Sequence, residues 1–232
     1  LIPRGKGISV LSIKDLKPTT ESFFILICAS RFNRPVLIDY PVNSNGLIFI
    51  QGNEAFLFDS PVSDSLTKDL VKWLEDSMHL TIRGFIPNHW HIDCMGGLSY
   101  IQGRNIESFA NQMTLDIARA NGLPVPAHGF TDSLRLMLGA KEIVCYYLGA
   151  AHSTDNIVVW IPSEKILFAG CMLKSIDSYN LGNTKDGDLD AYPKTLLKVK
   201  EKFPDAAIVI PGHGDYGGTE LIDHTLKLAQ KK

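Results

Sequence analysis

The 232 residues contain no apolar run near the roughly 20 residues that a helix needs to cross a bilayer. The longest, at 23–28 and 157–161, are strand-sized, so no membrane span is expected. Charge of one sign is missing too. Lys and Arg number 23 against 25 Asp and Glu, a formal net charge of −2, and without a basic field nucleic acid is not an expected partner. No charged tail and no Pro/Ser-rich linker breaks the chain, which reads as one domain over 1–232 made of two fused, pseudo-symmetric halves. Cysteine is scarce. Cys28, Cys94, Cys145 and Cys171 are too few and too scattered for a disulfide framework; Cys28 and Cys145 lie in apolar runs and read as packing residues. No cationic-then-apolar leader opens at Leu1, which fits a cytoplasmic protein or a mature chain relieved of a leader. Residues 1–5 have the look of a processing scar and are set aside.

What the sequence does contain is a dense set of metal-ligand residue types. His89-Trp90-His91-Ile92-Asp93 places two imidazoles and a carboxylate within reach of one metal-sized space. Downstream, Gly149-Ala150-Ala151-His152-Ser153-Thr154-Asp155-Asn156, then Gly170-Cys171, then Pro211-Gly212-His213-Gly214 each set a nitrogen or sulfur ligand just past a hydrophobic run. Any one histidine is more often a packing or surface residue than a ligand. His79, His128 and His224 stand apart from this set and keep that plain reading, as do Trp90 and Trp160. Cys94 follows Asp93 directly and is expected near the metals without holding one.

Short β-rich runs at 8–13, 23–28, 47–50 and 55–58, separated by Pro, Asn or Gly, predict consecutive antiparallel strands. Leu66, Leu70, Leu74 and Met78 recur every fourth position, predicting a helix over 65–78 capped by Ser63 or Asp64. A strand at 81–86 leads into the histidine pentad, Gly96-Gly97 opens a short helix, and Phe109, Met113 and Ile117 mark another that Gly122 ends. The second half repeats this order: strands at 143–148, 157–161 and 166–169, a helix at 190–203 with Pro193 in its first turn, a strand at 207–210 and a helix at 220–230. Two sheets face to face with helices outside, a four-layer α/β αββα sandwich with the ligand loops along one sheet edge, is the economical packing.

With these residues in view, the chain resembles the class B metallo-β-lactamases, most closely their first subclass. The resemblance rests on His89-x-His91-x-Asp93, His152, Cys171 and His213, with the strings Ser44-Asn45-Gly46-Leu47, Gly96-Gly97, Asp155-Asn156 and Pro211-Gly212-His213-Gly214. The second subclass has asparagine where this chain has His89. The third subclass and the glyoxalase-II relatives usually carry a histidine where this chain has Cys94. The resemblance implies two zinc ions per chain, one on His89, His91 and His152, the other on Asp93, Cys171 and His213. Three neutral imidazoles leave a tetrahedral zinc one open position for a water that ionises near neutral pH, and the second ion can meet the leaving nitrogen.

It further implies Lys174 as the partner of the β-lactam carboxylate, Asn183 as a substrate-binding and catalytic residue near the lactam carbonyl, and Asp93 as a catalytic residue as well as a ligand. Asp59 matches an aspartate that orients the metal loop. The expected activity is opening of penicillins, cephalosporins and carbapenems by a periplasmic, monomeric enzyme that confers resistance. A zinc hydrolase of thioesters or lactones and a non-catalytic metal module are the rival readings; Lys174 and Asn183 disfavour the first, an open position on zinc the second. One stretch departs from the family. The hairpin that closes over substrate corresponds to 30–41, which lacks a glycine-rich tip and carries Phe32, Leu37, Ile38 and Tyr40 bounded by Pro35 and Pro41. It is expected to be stiffer and to touch the substrate's variable group.

Overall fold

The computed structural model of the protein describes the backbone of residues 11–16, 23–30 and 42–231, with side chains from 44 to 231. The hairpin expectation for 31–41 therefore lies outside the described residues, as does that for the Cys28 side chain.

The described residues form two five-stranded sheets and a two-stranded ribbon. The first sheet runs β1 (Leu11–Leu16), β2 (Phe23–Ser30), β3 (Val42–Gln51), β4 (Glu54–Phe58) and β5 (Thr81–Ile86), in that spatial order. Its neighbours are antiparallel except β4 and β5, which are parallel because a helical crossover joins them. That crossover holds α1 (Asp64–Lys72), continued by a π-helical stretch over Trp73–Ser77. Ser63 caps α1 by accepting the Leu66 amide at 3.4 Å. The helix widens where Met78 N–H reaches back to the Trp73 carbonyl at 3.2 Å, and His79, at φ +57°, turns the chain into β5.

Past β5 come α2 (Ile92–Met95), α3 (Leu98–Gly103), the strand β6 (Phe109–Asn111), α4 (Gln112–Ala120) and β7 (His128–Phe130), which pairs in parallel with β6. The second sheet consists of β8 (Ser133–Leu138), β9 (Lys141–Tyr146), β10 (Val158–Ile161), β11 (Ile166–Gly170) and β12 (Ile208–Pro211). Again only the last pair is parallel, joined through α5 (Tyr192–Lys202), and α6 (Glu220–Gln230) follows.

Strand alternation sorts the side chains into layers. Leu47 and Phe49 of β3 and Phe56 and Phe58 of β4 point between the sheets, meeting Ile143, Cys145, Val159, Ile166 and Phe168 of the second. Phe58 and Phe168 face each other with ring centroids 6.3 Å apart. The intervening residues Ile48, Ile50, Ala55 and Leu57 point outward onto Leu70, Val71 and Leu74. On the far side Val158, Leu167 and Val209 meet Leu196, Val199 and Ile222 from α5 and α6. The architecture is the four-layer αββα sandwich.

Sequence and structure differ at three places. Phe109 is strand, not helix: Asn111 begins α4 instead, accepting the Met113 amide at 2.9 Å. The strands β7 and β8 were not expected. Yet β8 carries a period-two signal, with Ser133, Arg135 and Met137 exposed and Leu134, Leu136 and Leu138 turned inward. The short helix expected after Gly96-Gly97 is α3, with Gly97 at its N-cap, and the one-turn α2 ahead of it is unexpected.

Candidate metal centre

The six ligand candidates converge at one end of the sandwich. His89 and His91 lie in the loop after β5, and Asp93 lies in α2, where a strand-end loop was expected. His152 comes from the β9–β10 loop, Cys171 follows β11 and His213 follows β12.

Two groupings form. In the first, His89 Nε2 faces His91 Nδ1 at 2.8 Å, and the His152 ring lies edge-on to both at centroid distances of 4.9 and 5.2 Å. In the second, Cys171 Sγ lies 3.4 Å from His213 Nε2 and 3.7 Å from Asp93 Oδ2, while His213 Nε2 and Asp93 Oδ2 are 3.4 Å apart. His89, His152 and Cys171 also offer ligand atoms within 4.8 Å of one another, so the groupings abut.

Electrostatics suit cations. Burial drives the His89 proton affinity down to a pKa of about 3 despite the attraction of Asp93, and that of His152 down to about 2, so both rings present lone pairs at neutral pH. His152 Nδ1 is buried without a hydrogen-bond partner. Burial pushes the Asp93 carboxyl up, but the His213 hydrogen bond and the neighbouring imidazoles outweigh it and hold the group well below the carboxylate range. Burial raises the Cys171 thiol, with His213 opposing. An orphaned imidazole nitrogen, a three-nitrogen set and an oxygen–sulfur–nitrogen set are what divalent zinc accepts, so the residues fit the metal.

Cys94 approaches from the other side of His89. Its Sγ lies 3.2 Å from His89 Nδ1, the ring nitrogen turned away from His91, and burial raises its thiol. That geometry makes it an outer neighbour, although Cys94, His89 and Asp93 do come within 4.8 Å. Asp59, just past β4 at φ +58°, accepts the Asn88 amide at 2.5 Å and so fixes the entry to the histidine loop. Asn45 clamps the His213 loop: its Nδ2 donates to the carbonyls of Pro211 and Gly214 at 2.9 and 2.8 Å, and its amide donates to Gly212 at 2.8 Å. Gly212 must lack a side chain, since a Cβ there would run into the Cys171 sulfur.

Lys174 is buried, not a solvated loop lysine. Its Nζ donates to the Cys171 carbonyl at 2.9 Å and fronts a cavity of about 400 Å³ shared with Ser175, Tyr179, Gly182 and His213. Asn183 lies exposed on the adjoining loop, its Oδ1 accepting the Lys185 amide at 3.1 Å as in a turn. Sequence reasoning missed Asp186, whose Oδ2 lies 3.0 Å from His91 Nε2. A carboxylate there keeps the proton on Nε2 and turns the Nδ1 lone pair toward His89. His128 pairs with Glu107 at 2.6 Å and His224 with the Ser178 carbonyl at 2.8 Å, both away from the cluster. Trp90 and Trp160 pack against the helical layers.

Comparison with known proteins agrees with this geometry. The model of the metallo-β-lactamase superfamily matches residues 41–213. A metallo-β-lactamase type 2 of Bacteroides fragilis is 56% identical over 190 residues, covering 82% of this chain and 76% of its own. Another, of Bacillus cereus, is 33% identical over 187 residues, covering 81% and 73%. Among solved structures, a metallo-β-lactamase from Pontibacter korlensis superposes with a TM-score of 0.86 at 29% identity, covering 95% of this chain and all of its own. The DIM-1 metallo-β-lactamase gives 0.84 at 31%, covering 96% and 99%. Among the described residues no helix is long and apolar enough to cross a membrane. The chain belongs to the metallo-β-lactamase superfamily and is a metal-dependent hydrolase of the β-lactamase kind.

Proposed function

We propose that this chain opens the ring of penicillins, cephalosporins and carbapenems with two zinc ions, one held by His89, His91 and His152, the other by Asp93, Cys171 and His213. The observation that carries the reading is the pair of abutting donor triads, nitrogen-only and mixed, at one end of the sandwich. When bound, the ions supply a water of lowered pKa and two Lewis-acid sites for developing negative charge.

The protein's own groups do the rest. Asp93, kept ionised by His213 and the imidazoles, accepts a hydrogen bond from the attacking water and orients it. Lys174 has spent one of its three ammonium protons on the Cys171 carbonyl, which leaves two for the substrate carboxylate in the adjoining cavity. Asn183, its Oδ1 held by Lys185, offers its Nδ2 protons toward the lactam carbonyl. Asp59 and Asp186 orient the histidine loop and His91. The enzyme acts as a monomeric single domain in the periplasm, where it confers β-lactam resistance.

The test is metal content together with hydrolysis of a penicillin, a carbapenem and a glutathione thioester, with and without chelator. Expected are close to two zinc ions per chain, turnover of both lactams abolished by chelation, and no turnover of the thioester. Lactam turnover by verified metal-free protein, or thioester turnover alone, overturns the proposal.

A further inference from the structure

Asp155 is fully buried and carries three donors on its carboxylate. Oδ2 accepts the Trp90 backbone amide at 3.0 Å and the Thr114 hydroxyl at 2.7 Å; Oδ1 accepts the Ser153 hydroxyl. The three donors come from separate places. Trp90 is the residue between His89 and His91, Ser153 follows His152, and Thr114 belongs to α4, a rigid element outside both loops. One carboxylate thus ties the backbone between two imidazoles to the residue beside the third and anchors both to a helix.

Neighbouring bonds extend the tie. Asn88 and Ile157 exchange bonds, Ile157 N–H to the Asn88 carbonyl at 3.0 Å and Asn88 Nδ2 to the Ile157 carbonyl. Asn156 accepts the Ser153 amide and donates to the Gly149 carbonyl, both at 3.0 Å. Among the described residues no ion pair involves Asp155. A buried carboxylate without a cation is costly, and hydrogen bonding is what compensates it here. A scaffold needing only packed volume at this point would carry an apolar side chain. None of the Asp155 hydrogen bonds reaches Asp93, Cys171 or His213.

We infer that Asp155 is a positioning residue for the three-imidazole site, setting the spacing of His89 and His91 against His152 by holding both loops on one carboxylate. The inference rests on the two-site reading above. It demands a lopsided outcome: perturbing Asp155 loosens metal at the nitrogen site and spares the sulfur site. Metal-ligand loops are sensitive to such supports, whose loss typically costs about 10–100-fold in metal affinity.

Cadmium-113 NMR of the cadmium-loaded full chain separates the sites, because sulfur ligation shifts the resonance far from that of a nitrogen-only site. Wild-type protein is expected to show two resonances; uptake of a single ion overturns the two-site reading before any substitution is made. In Asp155→Asn, which keeps the volume but turns an amide donor toward groups that are themselves donors, the nitrogen-site affinity is expected to fall about 10–100-fold. The sulfur-site resonance should stay in place. Thr114→Val, nearly isosteric and removing only one of the donors to Oδ2, should weaken the same site severalfold, and it decides the matter should Asp155→Asn fail to fold. Unchanged cadmium affinities in the folded variants, or equal weakening of both sites, would overturn the inference and leave Asp155 a scaffold residue.

Discussion

The ends of β4–β5 and of β11–β12 are topological equals that equip the site differently. In both, the strand next to the sheet edge runs into a helical crossover and returns as the parallel edge strand, and in both the residue closing the first strand is left-handed. After β4 it is Asp59 at φ +58°, and its carboxylate accepts the Asn88 amide. At the end of β11 it is Gly170 at φ +54°, where a Cβ would lie 2.5 Å from the Asn88 side chain. The same backbone turn therefore serves as a support in one half and as a bare passage in the other. The candidate ligands follow suit: β5 leads into His89, His91 and, at the start of α2, Asp93 within one short stretch, whereas β11 and β12 deliver Cys171 and His213 singly. Each half is also held by the other, Asn45 of β3 clamping the His213 loop and Asn88 reaching the Ile157 carbonyl. Each set of candidate ligands thus takes hydrogen-bonded support from the opposite half.

The largest effect should come from the singly delivered side. Cys171→Ser replaces a thiolate with an alcohol, a far poorer zinc ligand, in a triad that no other cysteine of its loop can restore. Metal affinity at the Asp93–His213 site should fall by more than the roughly 10–100-fold typical of losing an outer partner, with the three-imidazole site still filled and β-lactam turnover sharply reduced. Metal analysis during dialysis and steady-state rates check this. Two tightly held ions with unaltered turnover would make Cys171 a packing residue and dissolve the asymmetry.

How far the sequence foretold this site also differs between the halves. The pentad was legible because two histidines and an aspartate two residues apart need no knowledge of the fold. His152, Cys171 and His213 were legible only through the glycines and hydrophobic runs around them. Asp186 was not, since its partner His91 lies 95 residues away and nothing in its loop has a spacing to read. The Trp90–Asp155 bond spans 65 residues; Asp155-Asn156 stood out as a string without disclosing its partner. In the fold, β8 went unread although its alternating leucines carry a period of two, whereas the three-residue β7 offers too few positions for any period to show. Lys174 shows the opposite limit: a lysine in a loop string looks solvated, and only the packing of α6, where Thr225 accepts its backbone amide at 2.9 Å, reveals that it is buried.

A middle-sized effect tests the bare passage. Gly170→Ala puts a side chain into a left-handed conformation costing about 1–2 kcal/mol, before the encounter with Asn88 is counted. At roughly 2–4 °C per kcal/mol for a chain of this size, metal-free protein should melt several degrees lower. Since Asn88 precedes His89, metal affinity should fall at both sites. An unshifted Tm would mean that the turn relaxes freely and that glycine is not required there.

The smallest effect, and the one with a sign, belongs to Asp59. Burial raises its carboxyl well above the ordinary value, more than the Asn88 and Cys94 hydrogen bonds lower it. In metal-free protein the folded state therefore holds this proton more tightly than the unfolded state does. Such a group leaves stability untouched below the unfolded pKa of about 3.9 and takes stability away as pH climbs from there toward the folded value. Asp59→Asn keeps an acceptor for the Asn88 amide and tolerates the left-handed turn, yet cannot ionise. The variant should match wild type in acid and become the more stable protein as pH rises through that window. Denaturant unfolding of both metal-free proteins across pH 3 to 8 measures the difference directly. A gap that stays constant with pH would show that the Asp59 proton is not held by the fold. The support after β4 would then depend on the shape of the side chain alone, and the two ends would differ less than their residues suggest.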